Sequence, residues 1–285
     1  MKVFIKRNGG KEKLNMVIKV TQEGDKENLL YRTVVEDMRM FLVKNGGAQY
    51  IPLPQQYLPD PGINLLVLDN VSCRGFKPAI SLAWVKPGLD YEESVVSVSR
   101  LARLHAVSLC YRVGTRKDML QLYPHLQREY CVTSSRVERV LKENAQLQSN
   151  INNQIKSANK QRLQQSLDTF GAVCLGEFCS DSFLFKYSCD LDSRLYCTDM
   201  VFQGISQAYY GSCVVDLLQF LFTSVASDVR RDFLNNLAFG VYYDNFAMTV
   251  KSVSPNFDLF SKNQFMKEFN DKLMFVFVFG ITMFS

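Results

Sequence analysis

Two short apolar runs, Val3 to Ile5 and Asn15 to Val20, flank the turn signal Asn8-Gly9-Gly10, and this predicts a β-hairpin at the start of the chain. From about Glu27 to Lys44 the period changes. Leu30, Val34, Met38 and Phe41 recur every three or four residues, as on a helix with one buried face, and Gly46-Gly47 ends it. A proline-rich connection through Pro52, Pro54, Pro59 and Pro61 leads into Leu65-Leu66-Val67-Leu68-Asp69-Asn70, which reads as a strand leaving into a turn. From Tyr91 to Arg112 a stripe of Val95, Val98, Ala102, His105 and Leu109 predicts a long amphipathic helix.

The middle of the chain is polar. Between Ser135 and Leu167, Gln, Asn, Ser and Lys dominate after a capping-box pair, Ser135 and Glu138, so this stretch reads as a mostly solvent-facing helix. Its apolar positions are too sparse for a coiled coil. Apolar helices return at Val214 to Thr223, at Phe233 to Val250 and from about Lys262 onward. The run from Leu273 to Phe284 falls well short of the roughly 20 residues that cross a bilayer. It is expected to be a core helix, with a membrane-surface role as the lesser alternative, and no transmembrane segment is expected.

Composition narrows the class. At 285 residues, 47% hydrophobic and 21% charged, the chain can bury a substantial core as one large domain or two lobes. The formal charge of +5 reads as spread along the sequence, a weak argument for anionic partners such as nucleotides and a weaker one for nucleic acid, which is not expected as a partner. Eight cysteines, at 73, 110, 131, 174, 179, 189, 197 and 213, show no paired spacing, and two histidines are too few for a zinc site. They read as mostly buried free thiols. The opening Met1 to Arg7 lacks the apolar core of a signal peptide, so a cytoplasmic location is expected. His105, on the apolar stripe, reads as a packing residue rather than a catalytic one; His125 has no recognisable partner.

The candidate chemistry lies in Cys174-Leu175-Gly176-Glu177-Phe178-Cys179-Ser180-Asp181-Ser182-Phe183-Leu184-Phe185-Lys186-Tyr187. This run resembles the catalytic loop of the ecdysteroid kinase-like family, within the superfamily of choline and aminoglycoside kinases, where it is roughly Cys-His-Gly-Asp-Phe-Trp-Ser-Asn-Asn-Ile-Leu-Phe-Lys-Tyr. Leu175, Glu177, Cys179 and Ser182 stand for His, Asp, Trp and the metal-binding Asn. Leu101 to Ala106 and Val215 to Ser224 resemble two helices of the family's larger lobe, and Leu65 to Asn70 resembles its hinge. The resemblance implies an α+β, bilobal protein kinase-like fold: a small, truncated β-rich N-lobe over residues 1–70 and a larger, mainly helical C-lobe over residues 71–285.

It also implies roles. Lys19, in Val17-Ile18-Lys19-Val20, either contacts nucleotide phosphates or is a surface lysine on an edge strand. Asp37 is expected as its ion-pair partner, and Asp69 as a hinge residue beside the nucleotide. Glu177 keeps the carboxylate that would orient an acceptor hydroxyl, although moving such a group by about 1 Å costs on the order of a hundredfold in rate. Ser182 is a shorter and poorer magnesium ligand than Asn. Val201, before Phe202-Gln203, stands for the second metal-binding Asp, which leaves Asp181 and Asp199 as the remaining metal candidates. Asp216 is expected to brace the catalytic-loop backbone.

The expectation is a pseudokinase with little or no phosphotransferase activity, which binds a steroid-like or other small apolar alcohol or a protein partner. The alternative is an active kinase that uses ATP and Mg2+ to phosphorylate a hydroxyl of a steroid-like substrate. A truncated, non-functional product is the third reading, because the family's phosphate-covering strand and glycine turn have no counterpart ahead of the first hairpin.

Overall fold

The structure, a computed structural model, describes residues 2–7, 10–46, 50–57, 64–80, 88–127, 166–178 and 182–284. The opening hairpin pairs β1 (Lys2–Arg7) with β2 (Gly10–Val20), Arg7 facing Gly10 and Lys2 facing Asn15. The second strand therefore begins at Gly10, earlier than the apolar pattern suggested, because strand pairing continues through the polar residues Lys11 to Lys13. The far half of β2 pairs with β3 (Leu65–Asp69) in a three-stranded sheet of order β1-β2-β3. Lys19, opposite Leu66, lies where β2 pairs with β3 alone, and its side chain is exposed.

Asp25 caps α1 (Lys26–Leu30) by accepting from the Asn28 amide at 2.8 Å. The helix continues through a π segment (Tyr31–Val35) into α2 (Glu36–Lys44). Its buried residues Leu30, Tyr31, Val34, Val35, Met38 and Leu42 cover the sheet residues Leu66 and Leu68 within one core. The proline-rich connection ties the sheet to the rest of the molecule. Proline cannot donate, but its carbonyl still accepts: Pro52 O takes the Phe202 amide at 2.9 Å, and Pro54 O takes Arg39 at 3.0 Å. On its other side Gln55 O accepts from Asp69 N, and Tyr57 N donates to Val67 O.

The long helix α3 (Tyr91–Thr115) starts in a capping box between Asp90 and Glu93 and ends at Arg116 in the left-handed region. A short α4 (Met119–Leu122) follows. Two antiparallel pairs form the remaining sheet structure. These are β4 (Gly171–Cys174) with β7 (Tyr209–Ser212), and β5 (Phe183–Cys189) with β6 (Leu195–Phe202). The helices α5 (Cys213–Thr223), α6 (Ser227–Asn235), α7 (Tyr243–Val253) and α8 (Lys262–Phe284) complete the chain.

One hydrophobic core runs from Leu30 through Leu104 and Phe220 to Phe269, so α1 and α2 share it with the helical part. Among the described residues no helix is long and apolar enough to cross a membrane. The polar stretch expected as a helix from Ser135 lies outside the described residues as far as position 165. All six described cysteines are free. Cys110, Cys174 and Cys213 are buried, Cys73 and Cys189 are exposed, and Cys197 lies between, so the expectation of mostly buried thiols holds for half of them.

Candidate functional site

Helix α5 is apolar except for a few polar positions, and those positions hold a loop. Asp216 is fully buried. Its Oδ2 accepts from Leu175 N at 2.8 Å and its Oδ1 from Gly176 N at 3.0 Å. One turn on, Gln219 Nε2 donates to Gly176 O at 2.8 Å, and Ser224 Oγ donates to Phe178 O at 3.2 Å. Gln219 follows Asp216 by one helical turn and Ser224 caps the C-terminus of α5, so a single element holds the loop backbone at Leu175, Gly176 and Phe178. Gly176 itself has φ +79°, and a Cβ there would lie 2.5 Å from Gln207 O, so both conformation and space require glycine.

His105 completes the clamp from α3. Its Nε2 lies 3.0 Å from Asp216 Oδ2 and its Nδ1 2.7 Å from the Tyr242 hydroxyl, with the imidazole fully buried. Because Asp216 acts as acceptor to two amides, the consistent arrangement has Nε2–H donating to Asp216 and Tyr242 O–H donating to Nδ1. His105, Cys174 and Asp216 bring possible metal-ligand atoms within 4.8 Å of one another. With Nε2 carrying the proton and both Asp216 oxygens engaged, that cluster works as a hydrogen-bond network.

Glu177 sits between two held peptides, and its side chain is exposed. Beneath it, Phe178 packs on Phe183 and edge-on to Phe220, while Phe183 meets Phe202. Ser182 is buried, and its carbonyl accepts from Gln203 N at 2.9 Å. Asp181 and Cys179 lie outside the described residues.

The other expected site residues have local partners. Lys19 Nζ pairs with Glu27 at 3.0 Å, whereas Asp37 accepts from the Tyr123 hydroxyl at 2.5 Å, which in turn meets Tyr111 at 2.6 Å. The expected Lys19–Asp37 pair is therefore corrected. Lys19 near the end of β2 meets the first turn of α1, and Asp37 is directed to the segment after α3. Asp69 pairs with Arg74 at 3.1 Å. Asp199 pairs with Arg100 at 2.9 Å and accepts from the Tyr50 hydroxyl at 3.1 Å. Arg100 and Arg103 both lie over the Tyr50 ring. Val201 is buried with Val71 and Phe76, with Leu184 packed against them. The segment after β3 is fastened there by two hydrogen bonds between Lys77 and Phe185, at 2.9 and 2.7 Å.

A model of the ecdysteroid kinase-like family matches residues 1–254. The chain belongs to the ecdysteroid kinase-like family. No curated protein matches it significantly. Among solved structures, a choline kinase from Streptococcus pneumoniae is 13% identical, with a TM-score of 0.39 over 99% of this chain and 90% of its own. A Plasmodium vivax ethanolamine kinase is 11% identical, with a TM-score of 0.38 over 100% of this chain and 74% of its own. A choline/ethanolamine kinase family protein from Mesorhizobium loti is 9% identical, with a TM-score of 0.37 over 99% and 92% of the two chains. Likeness this loose supports no residue-by-residue comparison.

Within this ecdysteroid kinase-like chain, several residues of the site escaped sequence reasoning. Gln219 and Ser224 were legible as polar letters in an apolar helix, three and eight residues after Asp216. Tyr242, Tyr50 and Arg100 are distant in sequence, and no local pattern marks them. His125, read as lacking a partner, meets Thr33 Oγ1 at 3.4 Å and packs beside Tyr123.

Proposed function

We propose that this member of the kinase-like family acts by binding rather than by phosphoryl transfer. The observation that carries this reading is Val201, an apolar side chain buried against Val71 and Phe76 where the family resemblance calls for a metal-binding carboxylate. Phosphoryl transfer depends on positioned metal and phosphate charge compensation. The described donor set does not fit Mg2+: Val201 offers no ligand atom, and Asp199 is already held by Arg100 and Tyr50. The ligand class favoured by family membership is a small apolar alcohol, steroid-like in character, with a protein partner as the other occupant.

A second reading has one observation in its favour. The backbone on both sides of Glu177 is held while its side chain is exposed, the arrangement a residual catalytic carboxylate would need. One experiment separates the two readings: thermal shift with ATP in the presence and absence of Mg2+, together with turnover against a panel of apolar alcohols. Saturable stabilisation by an alcohol or protein without turnover is the expected result. ATP turnover that needs Mg2+ and disappears in Glu177→Gln would sink the binding-only reading.

A further inference from the structure

The layer between the α1–α2 helix and the sheet holds polar groups that the fold leaves unpaired. Tyr31 and Gln56 are buried, at 0% and 6% exposure. Yet neither the Tyr31 hydroxyl nor either end of the Gln56 amide has a hydrogen-bond partner among the described residues. Arg39 is partly buried beside them. Its hydrogen bond goes to Pro54 O at 3.0 Å, and among the described residues no carboxylate forms an ion pair with it, although Glu36 is near enough to act on its charge.

The backbone gathers these groups. Gln56 lies opposite Leu68 in an antiparallel bridge, so its side chain shares the face of Leu68, which the helix covers. Pro54, where Arg39 is fastened, is two residues away, about 7 Å along an extended chain. On a regular α-helix Tyr31 and Arg39, eight residues apart, would differ by about 80° around the axis. The π segment Tyr31–Val35 has wider turns that take up about one residue, which brings the two nearly into line. Burial pushes the Tyr31 hydroxyl up and the Arg39 guanidinium down from their ordinary values, and each lies within the other's field.

Drawing a guanidinium out of water without a counter-ion is unfavourable, and so is burying an amide with no partner. Ordered water can satisfy an amide but supplies no counter-charge. We infer that Arg39, the Gln56 amide nitrogen and the Tyr31 hydroxyl form a binding site for a small oxyanion, a phosphate or a carboxylate. All three groups donate, and the guanidinium keeps donors to spare after Pro54. Its planar fork matches two oxygens of either anion. Lys19 is engaged by Glu27 and is no part of the site, so the inference does not depend on how the cleft is used.

The test is thermal unfolding of the full chain at constant ionic strength, without ATP or Mg2+, as chloride is replaced by inorganic phosphate or by acetate. Saturable stabilisation by at least one of them is expected, and the one that acts tells phosphate from carboxylate. Gln56→Leu and Arg39→Met should each weaken that anion about 10- to 100-fold, the worth of a hydrogen bond to a charged group. Without the anion, Gln56→Leu should melt no lower than wild type, because an unpaired buried amide has been removed. General stabilisation by phosphate acts on every variant alike and cancels in the comparison. Lys19→Met should keep the response. A response lost in Lys19→Met but kept in Gln56→Leu would put the anion in the cleft and overturn the inference. No response to either anion in wild type, or a response unchanged in both Gln56→Leu and Arg39→Met, would overturn it equally.

Discussion

The backbone of the loop from Leu175 to Phe178 and the side chains expected around its chemistry have fared differently. The backbone is held by Asp216, Gln219 and Ser224, with His105 bracing the Asp216 carboxylate, all across long sequence separations. The side chains expected to carry chemistry are instead engaged locally: Lys19 with Glu27, Asp37 with Tyr123, Asp199 with Arg100, and Val201 in an apolar contact. Holding a loop and doing chemistry on it are separable requirements. The first is enforced by burial, since an unpaired amide or carboxylate in the core is expensive, and this holds whether or not the protein turns over substrate. No comparable penalty fixes the partner of a half-exposed carboxylate.

The sharpest way to test the held half is Asp216→Ala. It leaves the Leu175 and Gly176 amides and His105 Nε2 buried without their acceptor, and breaking such a buried charged network costs about 3–5 kcal/mol. Urea unfolding should show the loss as a lower midpoint at unchanged slope. A loss below about 1 kcal/mol would mean that water replaces the carboxylate easily and that the loop is not held from α5.

Val201→Asp attacks the other half. It restores the letter that the family resemblance calls for, but puts a carboxylate against Val71, Phe76 and Leu184, at a cost on the order of 3 kcal/mol. The expected protein is destabilised with or without Mg2+. Recovery of the lost stability by millimolar Mg2+ would show that the remaining ligands still converge there, and the contrast between the two regions would collapse.

What was legible in the sequence follows the same division. The helix from Glu27 to Lys44, the strand at Leu65 and the helices around Leu101 and Val215 announce themselves because one buried face imposes a period on neighbouring residues. Asp216 was legible as a bracing carboxylate through the resemblance of its helix to one in the ecdysteroid kinase-like family, and its two backbone contacts agree. The partner of Lys19 was not, since Glu27 and Asp37 are both acids on one helix and only tertiary packing decides which meets β2. The Tyr50–Arg100–Asp199 contact brings together three parts of the chain, a kind of pairing that periodicity does not encode.

Asp199→Asn probes the boundary between the two regions with the smallest effect. The Arg100–Asp199 pair is partly exposed at both ends, with side-chain accessibilities of 29% and 28%, so Coulomb attraction is weakened by solvent and the pair is worth about 1 kcal/mol or less. Asparagine keeps an oxygen for Arg100 and for the Tyr50 hydroxyl, which reduces the loss further. If Asp199 is a structural tether between the proline-rich segment and β6, the substitution should lower the melting temperature by the same small amount in EDTA and in Mg2+. If it is a metal ligand that Arg100 merely holds in reserve, wild-type protein should gain stability from Mg2+ and the variant should not. That gain, rather than the size of the destabilisation, decides the question, because a tether and a ligand cost about the same to remove from a half-exposed site and only the ligand couples the loss to the ion.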